Sequence, residues 1–371
     1  MLNQGVRLQL MVGSSAALRP APYQVVSALQ DVEVQNNDEE RDGFQITFSL
    51  GRERRAQDFS LFKEGLLDPP HRLSIVVFIR GRRQVLINGI ITRHQVMPSN
   101  EPGLSQLRVT GEDTGLQLSL ETRVETHANL NDSGIVGKLL DNYDDLRADV
   151  KATSTTPSEV ERTPSQHHKD LDYIMALARR NGFIFFTEPT DQPGISTAYW
   201  GPRDRQGLSI QPALSVNMGS FTNVENISFN FDSLEPVEPT LSILDPITKS
   251  SIPIPMPDLP LEQLSSQAAE PLRKEKLSGV AKLNPIQAGL RLLQEAVGSA
   301  DAVRAEGELD TLSYGRALRS RRRVDLRGAG RSHDGTYYVK KVTHRIKRGE
   351  YKQSFTLVRQ GRGVLSEVVT L

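Results

Sequence analysis

Few residues in this chain stand at the spacings that metal binding requires. Of the seven His, the one adjacent pair is His167 and His168, which lacks the i, i+4 spacing of a helical metal site. The acidic run at 141–145 lacks the central Gly and the terminal Glu of a calcium-binding loop, so we expect a solvated acidic turn there. We therefore expect structural or solvated histidines, no metal ion and no cofactor.

Carboxylates are the remaining candidates for catalysis. Glu112 and Asp113 are adjacent at the end of a predicted strand, where neighbouring side chains point to opposite faces, and this disfavours a paired acid and base. Glu306 is a second candidate for a carboxyl group with a raised pKa. The sequence contains no P-loop, Gly-x-Ser-x-Gly or His-Glu-x-x-His motif. We expect the chain not to be an enzyme.

Seven arginines fall within the sixteen positions 316–331. In a strand, four charged residues of this cluster would share one face: Arg321, Arg323, Asp325 and Arg327. This face is either simply solvated, or it lines a channel or contacts an acidic partner. Arg321, Arg323 and Arg327 are therefore candidate interface or channel-lining residues. No aromatic residues alternate with these arginines, which disfavours a stacking platform for single-stranded nucleic acid.

The composition excludes several classes of protein. The 371 residues include 45 Lys+Arg and 45 Asp+Glu, and a net charge of zero argues against a general polyanion or membrane-surface binder. The absence of Cys excludes disulfides, thiolate metal sites and Cys nucleophiles. The longest apolar run, 75–79, is far below the about 18 residues that span a bilayer, and no secretory signal is visible. We expect a soluble protein without a membrane anchor.

The elements that must position these residues begin with an all-β region of about 110 residues. Alternating apolar residues predict strands at 73–80, 84–97 and 105–111, and a hairpin loop at 35–43. The alternation at 25–29 predicts a further strand.

A mixed α+β section is predicted over 114–218. Apolar residues recur at helical spacing behind a cap at Asp132 or Ser133. A second helix, over 171–180, has basic residues in its last turn and ends at Gly182, and a strand follows it at once.

Eight prolines within 235–271 predict an extended connector that is neither a helix nor an interior strand. A helix opened by Asn284 and Pro285 follows. The alternation then returns and predicts three strands, at 321–327, 335–346 and 351–358. Their order matches that of the three strands of the first β region. This match indicates a duplicated barrel-like module, although any two antiparallel meanders share such an order, and both interpretations are open.

The C-terminal residues also carry a family resemblance. The relevant segments are Ala305-Glu306-Gly307-Glu308, Tyr314-Gly315-Arg316-Ala317-Leu318, Val324-Asp325-Leu326-Arg327-Gly328, Asp334-Gly335-Thr336-Tyr337-Tyr338-Val339 and Tyr351-Lys352-Gln353-Ser354-Phe355-Thr356-Leu357-Val358-Arg359. Together with the helix and Gly-aromatic strand at 170–183, they resemble the phage late control D family. That family comprises the baseplate hub proteins of contractile phage tails and related injection systems.

The resemblance implies an α+β, mainly β fold with two similar β-barrel tube domains, the second split by an insertion, plus a mixed α+β domain. The expected division is 1–113 for the first β-barrel tube domain, 114–218 for the mixed domain, 219–240 with 303–362 for the second tube domain, 241–302 for the Pro-rich and helical insertion, and 363–371 for a C-terminal tail.

The same resemblance implies a structural baseplate hub. Three chains would form a homotrimer that adapts the sixfold tail tube to the threefold spike, because an internal duplication lets three chains present six similar patches. The implied partners are a tail tube protein ring, a separate spike protein, inner baseplate proteins and a tape measure protein. The expected location is the tail-tip baseplate of a virion or injection particle, after synthesis in the bacterial cytoplasm without a signal peptide. The alternative is a tail-tip cell-wall hydrolase delivered by the same particle.

Overall fold

The computed structural model describes residues 2–3, 5–14, 17–51, 61, 65–101, 103–153, 164–203, 205, 207–244, 250–257, 263–278 and 285–365. The predicted cap Asn284 and most of the predicted tail at 363–371 lie outside the described residues. The chain is mainly β with a few helices, as the sequence predicts. No helix in the described part of the chain is long and apolar enough to cross a membrane.

The described residues of the first β region form eight strands: β1 (Leu2–Asn3), β2 (Val6–Gly13), β3 (Arg19–Pro20), β4 (Leu29–Asn37), β5 (Gly43–Ser49), β6 (Arg72–Ile79), β7 (Arg82–Met97) and β8 (Gln106–Asp113). The predicted hairpin loop and three-stranded meander are both present. Alternate residues of β2 and β4 to β8 meet in one core, which includes Val32, Ile46, Ile75 and Val109.

The predicted strand at 25–29 is wrong. Residues Tyr23–Ala28 form a short helix, α1, and extended structure begins at Leu29. One helical turn places Val25 and Leu29, four positions apart, against the same core. Alternation over so few residues does not distinguish this arrangement from a strand.

The mixed section holds strands β9 (Glu125–Thr126), β10 (Leu146–Val150), β11 (Ser165–Gln166), β12 (Phe183–Pro189) and β13 (Ser196–Pro202), and helices α2 (Asp132–Leu140) and α3 (Asp170–Asn181). The two helices pack around Trp200 on the sheet β10-β13-β12. The cap of α2 is Asn131, whose side chain accepts the amide N–H of Gly134, rather than Asp132 or Ser133. Gly182 ends α3 at φ 65°, as predicted.

The second β region begins with β14 (Ile210–Ser215) and β15 (Val224–Phe231). Strand β14 lies in the range predicted as mixed, yet it pairs with a strand of the second β region, and Leu214 belongs to the core there. An inserted segment follows, with β16 (Val237–Leu244), β17 (Ser251–Ile254), β18 (Gln267–Ala268), β19 (Arg273–Lys276) and α4 (Pro285–Gly298). The region then resumes with β20 (Val303–Asp310), α5 (Thr311–Tyr314), β21 (Arg323–Arg327), β22 (Gly335–Lys347), β23 (Glu350–Arg359) and β24 (Gly361–Arg362).

The Pro-rich segment is more than an extended connector, because its strands β16 and β17 form a small sheet with the following strand β19, in the order β17-β16-β19. Among the described residues, the first half of β16 pairs with β19 alone and the second half with β17 alone. Pro239 therefore lies where β16 has one paired neighbour, and Pro253 lies on the edge strand β17. Such edge positions tolerate the missing amide donor of proline.

The two β regions share one strand order. In the sheet, β2-β6-β7-β8-β5-β4 of the first region corresponds to β14-β21-β22-β23-β20-β15 of the second, each set in the same chain order. The register shift in β7 at residue 92 matches that in β22 at residue 340, and the shift in β4 at residue 30 matches that in β15 at residue 225. One difference is that β2 and β6 are antiparallel whereas β14 and β21 are parallel. Three-stranded meanders alone would not reproduce six strands and two bulges.

Candidate functional site

The three parts of the chain meet at Arg321, which is 4 % exposed. Arg321 precedes β21 and has a left-handed backbone, with φ 57°. Its guanidinium donates to both carboxylate oxygens of Asp42, at 3.3 and 3.1 Å, and to the carbonyl oxygen of Asn37. Asp42 lies in the loop between β4 and β5, so this contact joins the two β regions. Burial lowers the pKa of Arg321, but the charge and hydrogen bonds of Asp42, together with the smaller effects of Asp38 and Tyr338, hold it above its usual range.

The mixed section contributes an aromatic face to the same site. The guanidinium carbon of Arg321 lies 4.8 Å from the ring centroid of Phe186, which belongs to β12. Beside it, Arg322 donates to both carboxylate oxygens of Glu188 at 2.9 and 3.0 Å. Both hydrogen bonds come from Nη2 of Arg322, and they are charge-assisted because both partners are ionised. Two consecutive arginines thus attach β12 to the second β region.

A second buried carboxylate lies next to Asp42. Asp113 accepts hydrogen bonds from the amide N–H groups of Asp42 and Gly115 and from the hydroxyl of Thr187, at 3.0, 2.7 and 2.6 Å. Burial, and secondarily the nearby charge of Asp42, raises the pKa of Asp113 to about 6. The adjacent Glu112 points outward instead and accepts a hydrogen bond from Arg41 at 2.8 Å. The two carboxylates therefore lie on opposite faces, as the strand pattern predicts.

The arginines of the predicted charged face differ in burial and do not share one exposed surface. Arg321 lies outside β21 and inside the protein, because its left-handed backbone and the Asp42 carboxylate turn its side chain inward. Arg323 is half-buried and donates to the carbonyl oxygen of Leu208 at 3.1 and 2.8 Å. Arg327, at the end of the strand, is exposed. Of the three candidate interface residues, only Arg327 presents its charge openly on this chain.

Sequence reasoning missed His344, which is 1 % exposed on β22. The hydroxyl of Tyr351 lies 2.9 Å from its Nδ1. Burial, with a smaller contribution from Arg319, lowers the pKa of His344 to about 3, so it is neutral at pH 7. His344 and Arg321 both line a cavity of about 20 Å³, which holds roughly one water molecule. The sequence does carry a signal of this burial, because His344 alternates with the apolar Val342 and Ile346 on one face of a predicted strand.

The other sequence candidates stand apart from this site. His167 and His168 are exposed, and no group of three or more His, Asp or Glu suited to a metal ion occurs among the described residues. The acidic turn at 141–145 is not wholly solvated, because Asp145 is buried in an ion pair with Arg72. Glu306 lies on β20 with its side chain 59 % exposed.

A second junction between the β regions is a strand pairing. Residues 31–37 of β4 pair antiparallel with residues 341–347 of β22, which unites both regions in one sheet of fourteen described strands. Val32 and Ile346 face each other and are buried. Glu33 and Arg345 also face each other, and their side chains form an ion pair at 3.4 Å. This pairing and the Arg321–Asp42 contact are distant in sequence and link the same two regions.

A family model described as the Alg8 N-terminal domain matches residues 20–193, which is less than half of the chain. That range covers most of the first β region and most of the mixed section. No curated protein matches the sequence.

Solved structures resemble the chain over nearly its whole length. The tail protein from Neisseria meningitidis MC58 has a TM-score of 0.63 at 13 % identity, covering 97 % of this chain and 98 % of the other. The 43 kDa tail protein of prophage MuSo2 from Shewanella oneidensis has a TM-score of 0.61 at 11 % identity, covering 95 % and 99 %. An E. coli component of the type VI secretion system has a TM-score of 0.55 at 12 % identity, covering 89 % and 73 %. The chain has the fold of these proteins.

Proposed function

We propose that this chain is the structural baseplate hub of a contractile tail or injection system. In this proposal the chain assembles as a homotrimer and adapts a sixfold tail tube to a threefold spike. Its two β regions act as two similar tube domains, and the segment between β15 and β20 is the insertion that splits the second.

The internal duplication carries the proposal. Six strands occur in the same order in both β regions, with bulges at matching positions in two of them. A ring with sixfold character needs the same kind of patch six times, and three chains with two patches each can supply it. A spike with threefold symmetry would at the same time contact three identical chains.

The fold supports the same proposal from a separate direction. The similar structures include two proteins described as tail proteins and one described as a type VI secretion component. The coverage exceeds nine tenths of both chains for the two tail proteins, so the likeness is to the whole architecture and not to one module. We extend to this chain the tail-tip location and, as partners, a tube protein ring, a separate spike protein, inner baseplate proteins and a tape measure protein.

Light scattering on the purified chain, alone and mixed with the tube and spike proteins of the same particle, tests the assembly. We expect a species with three times the chain mass of 41.2 kDa. A mass of one chain at every concentration and with both partners present would rule out the hub.

We further propose that the role is not enzymatic. Peptidoglycan zymography should show no clearing by the purified chain. The hydrolase alternative would instead give clearing that disappears in Glu112→Gln or Glu306→Gln, whereas loss in neither variant would indicate a contaminant.

A further inference from the structure

Two strand edges that match the β4–β22 junction have no strand paired to them among the described residues. Through the bulge at residue 92, positions 93–97 of β7 correspond to positions 341–345 of β22. Through the bulge at residue 225, positions 226–232 correspond to positions 31–37 of β4. The pairings of β5 with β8 and of β20 with β23 give the same correspondence, since Gln45 faces Thr110 where Glu306 faces Thr356.

These two segments lack the neighbour that their counterparts have. Among the described strands, β7 beyond its bulge pairs only with β8, and β15 pairs only with β20 at the end of the sheet. The side chains there are correspondingly exposed, with Val96 at 42 % and Phe231 at 37 %. In the junction within the chain, by contrast, Val32 and Val34 are fully buried. An open strand edge with apolar side chains is a template for another strand.

We infer that residues 93–97 of one copy pair antiparallel with residues 228–232 of the next copy, and so repeat between chains the β4–β22 junction found within each chain. This inference rests on the proposed homotrimer. Three junctions within chains and three between them would close a ring of six β regions and leave no open edge of this kind.

The register of the β4–β22 junction fixes the register of the new one. Lys341 faces Asn37 and Arg345 faces Glu33 within the chain. The corresponding positions place Arg93 opposite Asp232 and Met97 opposite Ser228. Val96 then lies opposite Phe229, which gives an aliphatic–aromatic cross-strand pair. The Arg93–Asp232 pair supplies opposite charges across the junction, as Arg345 and Glu33 do within it.

Cross-linking of introduced cysteines tests this pairing, because the chain has no native Cys. The test variant is Met97→Cys with Ser228→Cys. The matched control is Arg345→Cys with Glu33→Cys, since these positions occupy the same place in the junction within the chain. Each variant is treated with a short bismaleimide at a concentration where light scattering shows trimers, and is then run on a denaturing gel.

We expect the control to cross-link within one chain, at monomer mass, and the test variant to give dimers and trimers with nothing larger. Peptide mass spectrometry should locate each cross-link at the intended pair. Trimers in solution whose test variant stays monomeric on the gel, while the control reacts, would overturn the strand pairing and leave the proposed hub standing. Products larger than trimers would overturn the closed ring.

A charge exchange provides a second measurement that does not depend on cysteine geometry. Arg93→Glu places two like charges opposite each other and should lower the trimer fraction at a given concentration by about tenfold, and adding Asp232→Arg should restore it. Equal trimer fractions in all of these variants would contradict the register. A chain that is monomeric under every condition would instead contradict both the proposed hub and this inference.

Discussion

Arg321 donates two hydrogen bonds to the carboxylate of Asp42, although 279 positions separate the two residues in the chain. Asp42 also accepts hydrogen bonds from the side chain of Asn36 and the amide N–H of Asn37, at 2.8 and 2.9 Å. The side chains of Arg321 and Asp42 are almost completely buried. The junction of the two β regions is therefore held by a desolvated ion pair whose remaining polar atoms are largely occupied by neighbours.

Breaking this pair should destabilise the protein strongly. Arg321→Met leaves the Asp42 carboxylate buried without its cation, and we expect a loss of about 3–5 kcal/mol in the free energy of unfolding. Adding Asp42→Asn should recover part of that loss, because the uncompensated charge is removed. Urea denaturation of the double-mutant cycle measures this coupling. The control Arg327→Met removes an exposed arginine of the same cluster and should change stability by roughly 0.5 kcal/mol or less.

Ionisation of the buried Asp113 carboxyl group should lower the stability of the protein as the pH rises from about 4 to about 6. The pKa of Asp113 is about 6 in the folded chain and near its usual, lower value in the unfolded chain. The folded state therefore binds more protons over this range, and ionisation is penalised above it. We expect wild type to lose about 2–3 kcal/mol relative to Asp113→Asn between pH 4 and pH 7. A difference between the two proteins that is constant with pH would contradict the raised pKa.

His344, in contrast to Asp113, should make the protein less stable as the pH falls. Its pKa of about 3 in the folded chain lies below the usual value, so the unfolded chain binds the extra proton first as the pH falls below about 6.5. Stability supplied by neutral His344 is thus present above that pH and is lost on acidification. Between pH 6.5 and pH 5, wild type should lose about 2 kcal/mol relative to His344→Gln. An NMR signal assigned to the imidazole of His344 that titrates near pH 6.5 in the folded protein would contradict this expectation.

Gly182 should tolerate no side chain. It has φ 65°, and an added Cβ would lie 2.4 Å from the carbonyl oxygen of Leu290 on α4. Gly219 has a similar φ, 59°, but an added Cβ there meets nothing within 4 Å. Both Ala variants carry the left-handed backbone cost of about 1–2 kcal/mol. Thermal unfolding should show a distinctly larger loss for Gly182→Ala than for Gly219→Ala, whereas equal losses would mean that the contact with α4 adds nothing.

The predictable parts of the fold are those whose signal is local. The strands β6 to β8 and helix α3 follow from periods of 2 and 3.6 residues, and the stop at Gly182 follows from its need for a positive φ. The opposite orientations of Glu112 and Asp113 follow from the same strand geometry. These elements depend on neighbouring residues alone.

The site itself depends on residues that are distant in the chain. Nothing next to Arg321 in sequence indicates that its partner is Asp42, or that its backbone is left-handed, which is uncommon outside Gly, Asn and Asp. As a result, the sequence predicts one charged strand face shared by Arg321, Arg323, Asp325 and Arg327, whereas the structure has one buried, one half-buried and one exposed arginine. The β4–β22 pairing is also non-local, so the meander pattern indicated a duplication without showing how its two copies connect.

End-on cryo-electron microscopy of the assembled particle tip tests the proposed hub most directly. We expect a ring of six similar β regions contributed by three copies of this chain, with the two regions of each copy adjacent and joined through Arg321 and Asp42. A tip that contains this chain in any number other than three, or that places its two β regions outside a common ring, would contradict the proposed adaptor.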